Sequence, residues 1–135
     1  MRTKKVKPPH KKYEYTLGLS LEHDRIFKKN YILFRFNTTK VFLTFRYILN
    51  IETQVNGNTI FFNIAGFRAP TGDLSNPGLA EYEYKFYDFK FTDYLIIIGR
   101  KDVGSIKFKM KMHKAKKAAI SISSIPKHSF IEISV

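Results

Sequence analysis

The chain has no cysteine. That excludes disulfides, thiolate zinc sites, iron–sulfur ligation and thiol catalysis, and it removes the usual clue to a reducing or oxidising compartment. Acidic groups are also scarce, with 11 Asp and Glu against 24 Lys and Arg. Few candidates are left for acid–base chemistry, and Glu81, Glu83 and Asp88 alternate as on a solvated strand face. Long apolar runs are missing too. The longest, Tyr94 to Ile98 (YLIII), falls far short of the roughly 20 residues of a membrane-spanning helix. Residues 1–12 are basic like the start of a signal peptide, but Tyr13-Glu14-Tyr15 follows where an apolar segment would be needed. A soluble cytoplasmic protein is the expectation.

Catalytic and metal-binding patterns are equally sparse. The sequence holds no G-x-S-x-G elbow, P-loop or dinucleotide fingerprint. "GFRAPTG" has two glycines six apart but no Lys-Ser/Thr after them. His10 sits among lysines and prolines, His113 among lysines that would repel a metal cation, and His128 stands alone. Glu22-His23-Asp24 is the one mixed cluster, and at this composition it reads as a surface turn. No enzyme, metal site or cofactor is expected.

What is present favours sheet. The 135 residues suit one domain that buries roughly two-thirds of its extended-chain surface. Apolar residues make up 44% and aromatic residues 16%, led by 13 Phe and 8 Tyr, which fit a pleated, half-buried surface better than a helix. Residues 1–12, with Pro8-Pro9 and six basic side chains, read as a disordered basic arm, and 13–135 as a single β domain. Alternation begins at Tyr13 and is lost over residues 22–30, which fit a turn or one turn of helix. Tyr31 to Phe36 reads as a strand buried on both faces, and Asn37-Thr38-Thr39 as a turn. Lys40 to Val55 alternates throughout, long enough for a bend or bulge. Asn56-Gly57 then suits a type I′ hairpin leading into Asn58 to Ala65. Residues 66–80, with two prolines and three glycines, read as a long loop. Further strands are expected at 81–91 (bulged near Phe86-Tyr87), 94–98, 105–112, 119–125 and 130–135. The sum is an all-β, mainly antiparallel sandwich or small barrel of eight or nine strands.

The net charge of +13 is segregated. Residues 1–12 carry six basic groups and no acid, and residues 100–117 carry eight against Asp102. The rest of the chain holds ten of each sign, so two short stretches contain the whole excess. Segregated charge repels itself unless a partner neutralises it. In "SIKFKMKMHKAKK", Lys107, Lys109 and Lys111 alternate with apolar residues, and Lys114, Lys116 and Lys117 follow. Phe108, Met112, Ala115, Ala119 and Ile122 also satisfy a helical spacing, so residues 113–118 fit either a helical turn or a loop.

As a strand, this segment projects three lysines about 7 Å apart, near the phosphate spacing of an extended single strand. The expected function is therefore non-catalytic binding of nucleic acid or another polyanion. The candidate residues are Lys107, Lys109, Lys111, Lys114, Lys116 and Lys117, with Arg100, Lys101 and the arm residues Lys4, Lys5 and Lys7. Phe42, Phe61, Tyr87 and Arg46 are candidate stacking groups. The bland reading of the same stripe is lysines guarding an edge strand against aggregation. The rival function is a structural or assembly protein, a homo-oligomer or a subunit that docks onto an acidic protein. A third is a barrel around a small apolar ligand.

Overall fold

The computed structural model describes residues 13–42, 48–68, 78–101, 104–114, 118–126 and 129–135. The described residues form nine strands: β1 (Tyr15–Asp24), β2 (Lys29–Phe42), β3 (Ile48–Asn56), β4 (Thr59–Arg68), β5 (Gly78–Phe86), β6 (Asp93–Arg100), β7 (Gly104–His113), β8 (Ala119–Ser123) and β9 (Ile131–Ser134). All belong to one sheet in the order β8-β7-β6-β4-β3-β5-β2-β1-β9. The sheet curls on itself as a half-barrel, so of the two expected architectures the molecule is barrel-like. Most neighbours are antiparallel, as the hairpin-length connections imply. β1/β9, β3/β5 and β4/β6 pair in parallel.

Alternation explains the curl. Tyr15, Leu17 and Leu19 of β1, Ile60, Phe62 and Ile64 of β4, and Tyr94, Ile96 and Ile98 of β6 are buried, and their sequence neighbours are not. β7 follows the rule most strictly: Ile106, Phe108, Met110 and Met112 are buried and every residue between them is exposed. A helix would have placed Met110 opposite Phe108, so this period of two disposes of the helical alternative up to His113. Each strand thus offers one apolar face, and one curled sheet buries all of them together.

The core is mostly Ile and Leu, with a group of rings packed among them. Phe62 lies 5.1 Å from Phe34, 4.9 Å from Phe36 and 5.9 Å from Tyr84, centroid to centroid. These tilted and edge-on packings are the ones the ring quadrupole favours. β8 lies against β1 without joining its hydrogen-bond ladder, so the two ends of the sheet come round toward each other.

Several local expectations are corrected. The alternation from Lys40 to Val55 is not one strand: Lys40 to Phe42 end β2, residues 43–47 lie outside the described residues, and β3 starts at Ile48. Asn37-Thr38-Thr39 is an irregularity within β2, not a turn. Buried Thr38 makes it possible, its Oγ1 donating to the Lys40 carbonyl (2.9 Å) and accepting from the Ala80 N–H (3.0 Å). Such a hydroxyl replaces a ladder bond that the irregularity breaks. β5 stops at Phe86, so the expected bulge there is a strand end. The turn between β3 and β4 is Gly57-Asn58, with Asn56 paired to Thr59. Only Gly57 has a positive φ (61°), the II′ arrangement, because a glycine at the first central position takes that conformation freely. Of the residues read as a long loop, Gly66 to Arg68 extend β4 and Gly78 to Ala80 open β5. Residues 69–77, and the arm over 1–12, lie outside the described residues.

Candidate functional site

Because Ile106, Phe108, Met110 and Met112 take the inner face of β7, Lys107, Lys109 and Lys111 are forced onto the outer face, where all three are exposed. None makes an ion pair or a side-chain hydrogen bond among the described residues. The ladders show what stands beside them. Lys107 pairs with Ile97, which pairs with Phe61. Lys109 pairs with Leu95 on one side and Ser123 of β8 on the other. Lys111 lies between Asp93 and Ser121. Hydroxyls border Lys109 and Lys111 on the edge side. On the inner side stand half-buried Ile97 and Leu95, the 38%-exposed ring of Phe61 and, beside Lys111, the exposed acid Asp93. Near Gly104 and Ser105, where Gly99 contributes no side chain, the outer face dips into an open cavity of about 540 Å³ that also borders Asn63 and Lys101.

The other sequence candidates scatter. Lys101 is exposed just past β6, at the opposite end of the row from Lys114. Lys114 follows β7 and sets its ammonium 6.0 Å from the centroid of the exposed Phe91 ring. Arg100 does not join the lysines. Two residues on from Ile98, it follows the inward phase of β6, ion-pairs with Glu14, and lies 5.6 Å from the Tyr15 ring and 5.7 Å from the Phe130 ring. Its charge serves the seam between β6 and β1. Lys116, Lys117, Lys4, Lys5 and Lys7 lie outside the described residues.

No family model, no curated protein and no solved structure matches this chain.

The stacking candidates separate in the same way. Phe61 is on the lysine face. Tyr87 is at one end of the half-barrel, 5.0 Å from Tyr31 and 6.1 Å from Phe27, with its hydroxyl donating to Asp24 Oδ2 at 2.8 Å. The Phe42 side chain and Arg46 lie outside the described residues. Glu22-His23-Asp24 form the end of β1 at its hairpin with β2. His23 Nδ1 bonds Asn30 Oδ1 at 2.8 Å, and Asp24 Oδ1 accepts from the N–H groups of Ile26 (2.9 Å) and Phe27 (3.2 Å). The Tyr87 hydroxyl, then these backbone donors, hold the Asp24 carboxyl below the usual carboxylate range. The same bond from the other side raises the Tyr87 phenol.

Proposed function

We propose that the chain binds a polyanion, nucleic acid in the first place, by laying its phosphate backbone along the outer face of β7. The observation that carries this reading is the single-faced row of Lys107, Lys109 and Lys111, exposed and without an ion-pair partner among the described residues. Three like charges held about 7 Å apart by a strand repel one another, and a chain of phosphates at similar spacing relieves that repulsion. Ser123 stands in register to donate its hydroxyl to the same phosphates, and the Ser121 hydroxyl beside Lys111 is shared with His113 Nε2 at 2.7 Å. Lysine reads phosphate as a point charge, so the binding follows backbone and not base sequence. The chain's role is to hold its ligand, without chemistry on it.

Titration against labelled single- and double-stranded DNA and RNA at two salt concentrations tests the reading. Binding that weakens steeply with salt is expected. No binding at low salt, joined to a concentration-dependent oligomer, would replace it with the assembly reading.

A further inference from the structure

The described chain gathers apolar and basic side chains at one end of the half-barrel, far apart in sequence. β1, β5 and β7 finish there, β2 and β6 start there, and the Gly57-Asn58 turn is tied to β6 by the Leu95 N–H to Asn58 carbonyl bond (2.8 Å). Its most projecting part is the β1–β2 hairpin tip, where Ile26 is 86% and Phe27 66% exposed. Val55 and Phe91, also exposed, belong to the same end. Arg25, Lys28 and Lys29 flank the tip in the chain, Lys85 and Lys90 share a cleft with Val55, and the Lys114 ammonium lies 6.0 Å from the Phe91 ring. The acids at this end are Glu22, Asp24, Asp88 and Asp93, of which Asp24 is engaged by the turn and by Tyr87. A cleft of about 490 Å³, with Lys85, Lys90 and Tyr87 on its walls, opens between the β3–β4 turn and the β5–β6 connection.

The tip is built, not frayed. Asp24 fixes the first half of the turn, Lys28 closes the second in the left-handed region (φ 54°), and Tyr87 packs edge-on against Phe27. Holding two large apolar side chains in water on an ordered turn is costly unless something apolar receives them.

We infer that this end docks on an anionic lipid surface, with Ile26 and Phe27 entering the acyl boundary and the surrounding Lys and Arg meeting the headgroups. Apolar side chains at a tip, ringed by cations, match the layering of an anionic bilayer interface. A nucleic acid could receive these side chains only as wedges between base steps, at an unstacking cost of about a few kcal/mol per step that an acyl boundary does not impose. A second copy docking through the same patch would set one basic ring against another.

Co-sedimentation of the full chain with phosphatidylcholine vesicles, and with vesicles containing about 30% phosphatidylserine, tests this. Wild type is expected to sediment with the phosphatidylserine vesicles only. The Ile26→Ser/Phe27→Ser variant is expected to partition at least about tenfold more weakly while keeping its folded circular-dichroism spectrum and its nucleic-acid affinity. Arg25→Ser/Lys28→Asn, which keeps a residue tolerant of the left-handed turn, is expected to weaken the preference for phosphatidylserine. Three results would overturn the inference: no sedimentation with either vesicle, equal partitioning by the tip variant, or loss only in Lys107→Ser/Lys109→Ser/Lys111→Ser. So would a concentration-dependent dimer that the tip variant abolishes. Failure of the nucleic-acid reading would appear separately, in the titrations above.

Discussion

Phe61 and Phe62 are neighbours in sequence and opposites in environment, which makes them a sharp test of the sheet's register. Phe62 is 1% exposed and touches the rings of Phe34, Phe36 and Tyr84, whereas Phe61 is 38% exposed on the outer face. Replacing a buried Phe by Ala costs about 3–5 kcal/mol through lost transfer energy and the cavity left behind. Three ring neighbours, held by strands that cannot easily collapse inward, place Phe62→Ala near the middle of that range, about 4 kcal/mol. Phe61→Ala loses partial burial and strand propensity, about 1 kcal/mol. The assay is urea unfolding followed by far-ultraviolet circular dichroism, since the chain has no tryptophan to report. With a slope of about 2 kcal/mol per molar, Phe62→Ala should lower the midpoint by about 2 M and Phe61→Ala by about 0.5 M. Equal costs, or a larger one at Phe61, would refute the register, because a one-residue slip exchanges the two faces along the whole strand.

Thr38→Val should cost about 1–3 kcal/mol in the same assay, because the buried Ala80 N–H loses the oxygen that accepts it. An unchanged midpoint would mean that the irregularity in β2 does not depend on the hydroxyl. Burial raises the phenols of Tyr15 and Tyr84, for Tyr15 against a lowering by Arg100. In the unfolded chain tyrosine ionises near pH 10, so their stabilisation is complete below that pH and is lost as pH rises toward the higher folded values. Urea midpoints should therefore fall above about pH 10, and a flat profile there would contradict the burial of these rings.

Much of the fold was legible in period-two patterning. Where one face was apolar and the other polar, as in β7, the strand, its inner face and its exposed lysines could all be read from the sequence. The pattern misled where alternation crossed a break. Lys40 to Val55 keeps phase although β2 ends at Phe42 and β3 begins at Ile48, because alternation records which way side chains point and not whether the chain continues straight. Thr38 shows a second limit: its hydroxyl compensates a ladder break through Ala80, 42 residues away, and nothing local announces it. The candidate site was half legible. Arg100 counted with the lysines by proximity in sequence, yet its inward phase after Ile98 was a signal that it belongs to the opposite face. The basic end was invisible because charge was balanced along residues 13–99 in sequence. Hairpins then carried Arg25, Lys28, Lys29, Lys85 and Lys90 to one end of the sheet.

The central claim is that the outer face of β7 holds a phosphate backbone. Its most direct test is the salt dependence of single-stranded DNA binding, by fluorescence anisotropy, for wild type and Lys107→Ser/Lys109→Ser/Lys111→Ser. Each lysine that neutralises a phosphate on a single strand contributes about 0.7 to the slope of log affinity against log salt. The triple variant should therefore bind more weakly, with a slope shallower by about 2, in a fold whose urea midpoint is unchanged. Equal affinity and equal slope for the two proteins would show that these lysines only keep the face wet.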